Sequence, residues 1–347
     1  MRRKGESTLP PVVGCDPVTG WAERWARRIA TAAPWPLLGG CSGEGTHLSF
    51  LDPQGPVADV QRLHFLEVLG LLAVFVALPV FLVTPWFVWR YRYGASARYA
   101  PKWNFSAGLD VACWAGPIAI VALLGVLVWH STHALDPYKP LASKQPELRV
   151  QVIGYDWKWL FIYPDQGIAS IGELALPAGR PVALQLTSAT VMQSLLIPAL
   201  GSQIYAMGGM VTQLHLEAAR PGRFLGENTL YNGNGFSQEK FIAVAMPPAG
   251  FQAWVRKVRA SGVPMSAATL GAISRRTTRA QLIRTVDGAA PRGGDVYFRG
   301  VTAALFPAVV AATRDGTAVG PAALGDAGSA PTSPTPRPAH TGTESLH

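Results

Sequence analysis

The sequence is short of cysteine, and its cysteines are badly placed for the sites that this residue usually builds. The 347 residues contain only three, Cys15, Cys41 and Cys113. Because no two of them form a CxxC pair, the sequence excludes a zinc finger, a redox dithiol and a disulfide framework. A site that needs thiolate ligands is likewise excluded from everything beyond Cys113.

Charge is also scarce in this sequence. Charged residues make up 15% of the chain and hydrophobic residues 49%, which is apolar for a soluble protein. The net charge of +9 comes from Lys and Arg in an N-terminal leader, a short loop and the C-terminal third, and they do not form one basic face. This distribution excludes nucleic acid as a partner.

Two long runs carry no charge at all, residues 68–89 and 111–129. Each is long enough to cross the hydrocarbon core of a membrane as a helix. We therefore predict a transmembrane helical hairpin over residues 66–130, with a bend in the first helix at Pro79 and Pro85. The alternative, two buried helices of a soluble protein, is disfavoured by the length of the runs and by their terminal tryptophans.

The loop between the two runs, residues 90–108, sets the orientation of the hairpin. It holds Arg90, Arg92, Arg98 and Lys102 and no acid. Positively charged loops stay in the cytoplasm, so both outer ends of the hairpin are predicted to face the periplasm of a bacterial inner membrane.

The N-terminal leader, residues 1–40, is basic and ends in the sequence Leu-Leu-Gly-Gly before Cys41. This pattern resembles a bacterial lipoprotein signal, which predicts a lipidated Cys41 at the mature N-terminus and a periplasmic segment over residues 41–65. Pro34 and Pro36 interrupt the apolar stretch. The alternative is a leader with an incidental cysteine.

After the hairpin, apolar and β-branched runs alternate with turn residues, which predicts a Greek-key β-sandwich over residues 146–260. The clearest strands are predicted at residues 148–153, 181–187, 213–217 and 241–245, with a closing helix at 250–259. Residues 261–312 form an extension with a weaker pattern. Residues 313–347 are rich in Gly, Pro, Ala, Ser and Thr, which predicts a disordered tail.

Three segments identify a family. They are STHALDP at residues 131–137, DWKWLFIYP at 156–164 and PALGSQIYAM at 198–207. With the hairpin and the sandwich, they resemble subunit II of the haem-copper oxidases, in the ubiquinol-oxidising branch of cytochrome bo type, over residues 41–310. The fold class implied is membrane α+β, a two-helix hairpin followed by a periplasmic cupredoxin-like Greek-key sandwich.

The resemblance also implies a function and partners. The chain would be a non-catalytic subunit of a complex that oxidises ubiquinol, reduces dioxygen to water and pumps protons. Haems and catalytic copper are expected in subunit I, with smaller membrane subunits III and IV alongside. The resemblance leaves menaquinol open as the donor and does not fix the haem types.

The cytochrome c oxidase branch holds a dinuclear copper centre in this domain, built from two cysteines, two histidines, a methionine and a backbone carbonyl. In this sequence the positions of the five side-chain ligands fall on Gln193, Tyr231, Gly235, Glu239 and Ile242. The resemblance thus implies that the copper ligands are lost and that the chain binds no cofactor of its own. Two alternatives remain, a cytochrome c oxidase subunit with another ligand set, and a non-redox assembly protein of the same architecture.

Two further features are open to interpretation. The aromatic residues at 155, 157, 159, 161 and 163 share one face if residues 155–163 form a single strand, and we interpret that face as packing surface. Asp110 is the only acid at the cytoplasmic end of the second helix. An acid is favoured in the first turn of any helix, whereas the resemblance implies a carboxylate at a proton entrance.

Overall fold

The computed structural model describes residues 51–94, 105–143, 145–286 and 294–317. The leader, Cys41 and the middle of the loop predicted at 90–108 lie outside the described residues, as does nearly all of the tail. Two long apolar helices, α1 (Pro56–Arg90) and α2 (Ala107–Ala134), stand where the uncharged runs predicted them. No residue of α2 is buried, so the alternative of a soluble core is wrong.

Helix α1 is irregular in the middle. Residues Ala73–Ala77 form a π-helical turn between two α-helical parts, directly before Pro79. A proline ring clashes with the carbonyl four residues earlier and supplies no N–H, and a π turn relieves both problems. The α-helix continues through Pro85 without such a turn. Of the two prolines, only Pro79 has an irregularity beside it.

A β-sandwich follows the helices. Its strands are β1 (Leu148–Tyr155), β2 (Lys158–Tyr163), β3 (Ile168–Ile171), β4 (Glu173–Pro177), β5 (Val182–Ser188), β6 (Gln193–Ile197), β7 (Gly201–Ala206), β8 (Thr212–Leu216), β9 (Gly222–Asn228), β10 (Lys240–Met246), β11 (Val263–Pro264) and β12 (Val296–Arg299). One sheet has the order β11-β12-β3-β2-β1-β5-β8 and the other β4-β10-β9-β6-β7. The predicted strands and the closing helix, α3 (Pro248–Ser261), are present with ends shifted by a few residues.

The main core lies between the two sheets. It consists of apolar side chains that alternate along the strands, as expected for two facing sheets. Phe161 and Phe241 meet there with ring centroids 4.8 Å apart. Tyr163 is fully buried, and its hydroxyl donates to the carbonyl of Ala175 at 3.0 Å and accepts from the amide of Ala175 at 2.8 Å.

The extension is ordered and packs on the outer face of the seven-stranded sheet. It contributes α4 (Ala267–Ser274), α5 (Arg279–Thr285), α6 (Leu305–Asp315) and the strands β11 and β12. Strand β12 pairs antiparallel with β3, so the sheet continues past residue 260, where we predicted that the sandwich would end. A second core forms there from Leu160, Ile162 and Phe298 together with Phe306 and Val309 of α6.

The aromatic segment does not form one strand, contrary to our interpretation. Tyr155 ends β1 and pairs with Lys158 at the start of β2, which leaves Asp156 and Trp157 as a two-residue hairpin loop. Trp157 has φ 63°, the only positive φ among the described non-glycine residues. Strand periodicity therefore breaks at this loop. Tyr155 belongs to the second core, whereas Trp159 faces the main core.

Candidate functional site

The positions matched to copper ligands lie around one end of the five-stranded sheet, where β6 and β10 begin and β9 ends. The chain between β9 and β10 crosses this end and includes a short 3-10 helix, Phe236–Gln238. The β1–β2 loop of the other sheet packs against the same region, because Trp157 lies beside Gly233 and Gly235.

Gln193, the position of the first histidine, is fully buried at the start of β6. Its Nε2 donates to the carbonyl of Tyr155 at 2.9 Å. Its Oε1 is buried and has no hydrogen-bond partner among the described residues. The side chain joins the ends of the two sheets, and it offers only an amide oxygen where the copper branch has an imidazole nitrogen.

The two cysteine positions differ from each other in their surroundings. Tyr231 is 72% exposed, and its ring packs edge-on against Phe236 at 5.7 Å. Gly235 lies directly under the indole of Trp157, so a Cβ at this position would overlap the ring. A cysteine side chain cannot be placed at residue 235 unless Trp157 moves.

Glu239, the position of the second histidine, is the only carboxylate in this region that is almost completely buried, at 1% exposure. Its Oε2 accepts from Asn228 Nδ2 at 3.0 Å and from Asn232 Nδ2 at 2.6 Å. Its Oε1 is buried without a partner in the described part of the chain. Burial raises the pKa of Glu239 to about 7, although both asparagines favour the charged form. Asp156 raises the pKa further, and Lys158 lowers it.

Lys158 is buried on the other side of this cluster, at 2% exposure. Its Nζ donates to the carbonyls of Asp156, Arg275 and Thr277 at 3.1, 2.8 and 2.9 Å. Burial lowers the pKa of Lys158 to about 8, against the opposing effect of Asp156 and Glu239. Lys158 thereby holds the extension to the β1–β2 loop, and we call Glu239, Asn228, Asn232 and Lys158 the Glu239 cluster.

Ile242, the methionine position, lies two residues into β10, and its amide donates to the carbonyl of Gly172 at 2.9 Å. None of the hydrogen bonds within the described ranges joins two of the five side chains matched to ligands. Instead, Asn228 ties β6 to Glu239, because its Oδ1 also accepts from the amide of Ser194 at 2.9 Å.

The residues present do not fit a dinuclear copper centre. Bridging thiolates are indispensable to such a centre, and Trp157 fills the space at Gly235 that one of them would need. The side chains that remain buried here offer hard oxygen atoms. No group of three or more His, Cys, Asp or Glu is suited to a metal ion in the part of the chain that the structure describes.

Sequence reasoning missed most of the Glu239 cluster. Asn228 and Asn232 are ordinary loop residues in the sequence, and only the fold turns their amides toward Glu239. Lys158 was expected to be solvated, because lysine is almost never fully buried. The signal that was available is its position between two tryptophans, in a segment that is otherwise apolar.

Asp110 lies apart from this cluster, in the first turn of α2. Its amide donates to the carbonyl of Ser106 at 3.0 Å, and the residue is exposed. Its carboxylate has no partner among the described residues, so it is available to a neighbouring subunit or to water.

Comparison with known proteins gives consistent results. Residues 168–244 match the family model described as cytochrome c oxidase subunit II, periplasmic domain. The chain is 40% identical over 282 residues to the cytochrome bo(3) ubiquinol oxidase subunit 2 of Pseudomonas aeruginosa, covering 81% of this chain and 80% of that protein. It is 42% identical over 286 residues to the ubiquinol oxidase subunit 2 of Acetobacter aceti, covering 81% and 86%. A solved periplasmic domain of cytochrome oxidase subunit II from Bradyrhizobium japonicum is 23% identical, covers 33% of this chain and 96% of that one, and has a TM-score of 0.32.

Proposed function

Because the chain belongs to the ubiquinol oxidase subunit 2 family, we propose that it acts in its oxidase without holding a redox centre of its own. The observation that carries the proposal is the packing of Trp157 on Gly235, together with the buried oxygen donors at Gln193 and Glu239. A domain without a copper centre cannot pass electrons from cytochrome c. The electrons of quinol would therefore enter directly at subunit I, where we place the haems and the catalytic copper.

The complex would oxidise quinol, reduce dioxygen to water and pump protons, and this chain would support assembly. We propose that α1 and α2 cross the inner membrane against subunit I, with subunits III and IV nearby. Large apolar side chains support this, because Phe81 and Trp114 are 75% and 67% exposed. Such surfaces are stable only in lipid or against another protein.

The decisive experiment uses the oxidase purified through this subunit. We expect turnover with ubiquinol, none with reduced cytochrome c, and no purple-copper absorption after copper is added. Oxidation of cytochrome c together with that absorption would establish the copper-binding alternative. Purification of the chain without haem would favour the assembly protein.

We propose that Cys41 is lipidated and begins the mature chain, as its small-residue context supports. Cys41→Ser should abolish processing at this position, which intact-mass analysis of the purified chain measures. The variant should stay in the membrane, because two helices anchor it regardless of the lipid. An unmodified Cys41 in the native protein contradicts the proposal, and Cys15→Ser is the matched control.

We propose that Asp110 takes up protons at the cytoplasmic side. Asp110→Asn should lower quinol turnover by roughly tenfold, because an amide cannot carry a proton. Asp110→Glu should restore most of the activity. Turnover is measured across the pH range in complexes of equal haem content. An Asp110→Asn oxidase with the wild-type rate at every pH would reduce Asp110 to a helix-start residue.

A further inference from the structure

A cleft lies on the opposite side of the sandwich from the helices of the extension's second core, outside the site described above. It is formed by the β2–β3 turn, the end of α3 and the ends of β11 and β12, and its volume is about 430 Å³. Its charged lining residues are Arg259 and Arg299, and no acid lines it. The cleft therefore combines two positive charges with a volume that a small anionic group can enter.

Both guanidinium groups are fixed in orientation by the backbone. Arg259 Nε donates to the carbonyl of Gln166 at 2.9 Å, and Arg299 Nε donates to the carbonyl of Gly262 at 3.0 Å. Neither arginine forms an ion pair within the described ranges. Each group thus keeps its terminal nitrogens for a ligand, and a planar guanidinium held in this way binds phosphate oxygens in pairs.

The rest of the lining suits the same ligand. Gly167 and Gly300, with φ of 65° and 70°, leave two walls without side chains, so a ligand can approach the backbone closely. The acid next to Gln166 in the sequence, Asp165, is paired with Arg149 at 2.7 Å. Gln166 has a buried Oε1 without a partner among the described residues, which can accept from a hydroxyl of the ligand.

The position of the cleft points to the membrane surface. The amide of His215, in β8, donates to the carbonyl of Pro137, just after α2 ends. The strand register carries this end of the sheet from β8 through β5, β1, β2 and β3 to Arg299 at the end of β12. These five strand spacings amount to roughly 24 Å. The cleft opens at the same end of the sheet from which the chain enters the bilayer.

We propose that the cleft of Arg259 and Arg299 binds a phosphate group, which the headgroup of an anionic phospholipid in the outer leaflet can supply. Phospholipid phosphates at this interface are recognised by basic pockets of this kind. The site is separate from the Glu239 cluster, and it does not depend on which donor reduces the oxidase.

The test uses the intact oxidase in detergent and two probes, inorganic phosphate and a soluble short-chain phosphatidylglycerol. Isothermal titration calorimetry compares the wild type with Arg259→Gln, Arg299→Gln and the double variant. Arg256→Gln removes an exposed arginine of α3 that does not line the cleft, and is the control. Haem content shows that each variant has assembled.

We expect each single variant to weaken binding about tenfold, the double variant to abolish it, and the control to leave it unchanged. Binding of the lipid alone identifies a headgroup as the source, and equal binding of both probes identifies free phosphate. The proposal is overturned if the double variant binds both probes as the wild type does, or if Arg256→Gln causes the same loss.

Discussion

A fragment of residues 145–262 will fail to fold as a soluble domain, whereas a fragment of residues 145–317 will fold. The shorter fragment matches the domain that the sequence pattern predicts, but it removes β12 and α6. Strand β3 then becomes an unpaired edge, and the side chains of Leu160 and Ile162, both fully buried, become exposed to water.

The expected loss is large compared with the stability of a domain. Burial of one such side chain contributes roughly 2 kcal/mol, and the second core contains many of them. The total stability of a domain is only about 5–15 kcal/mol. Circular dichroism and thermal unfolding of the two fragments check the prediction. A cooperative transition in the shorter fragment at an unchanged temperature would contradict it.

A point substitution separates packing from truncation. Phe306→Ala in the longer fragment should cost about 3–5 kcal/mol, because the side chain of Phe306 is buried in the second core. Ala311→Ser, on the exposed face of the same helix, is the matched control and should change the stability very little.

The sequence predicted what depends on long patterns. The two uncharged runs required helices of membrane length, and alternating runs required strands, so α1, α2 and the clearest strands were found. It failed where elements are short. Helices α4 and α5 have only eight and seven residues, and β11 has two, so no periodic signal could develop.

The hairpin at Asp156 and Trp157 was missed for a related reason. The aromatic alternation runs through the loop without a break, and the loop contains none of the glycine or asparagine that usually marks such a turn. Trp157 instead adopts a positive φ because its indole packs on Gly235. The matching of lost copper ligands fixed positions in the chain, but it could not show that Asn228 and Asn232 enclose Glu239.

Glu239→Gln will remove a steep pH dependence from the stability of the 145–317 fragment. The pKa of Glu239 is raised to about 7 in the folded protein, from an ordinary value of 4.5. The folded state therefore holds the proton more tightly than the unfolded state. The wild type is most stable below pH 4.5 as far as this group is concerned, and it loses roughly 3 kcal/mol as the pH rises through 7. Glutamine does not ionise and has no such loss.

Other titrating groups do not obscure this difference. Lys158 has its pKa lowered to about 8, so its charged form is penalised throughout the range below pH 7 and contributes no slope there. Asp295 has its pKa raised to about 6 and gives a slope of the same sign, but it does so equally in both proteins. Comparing the two proteins therefore isolates Glu239, together with its coupling to Asp156 and Lys158.

The measurement is denaturant unfolding at pH 4 and pH 8. The change in unfolding free energy between the two pH values should be roughly 3 kcal/mol smaller in Glu239→Gln than in the wild type. Glu227→Gln, on the neighbouring strand, replaces a carboxylate that pairs with Lys240 at 3.4 Å and is partly exposed, and it should keep the wild-type slope. If Glu239→Gln has that slope as well, Glu239 is ionised and solvated in the folded domain. The buried Glu239 cluster would then be wrong, even though the copper ligands are absent.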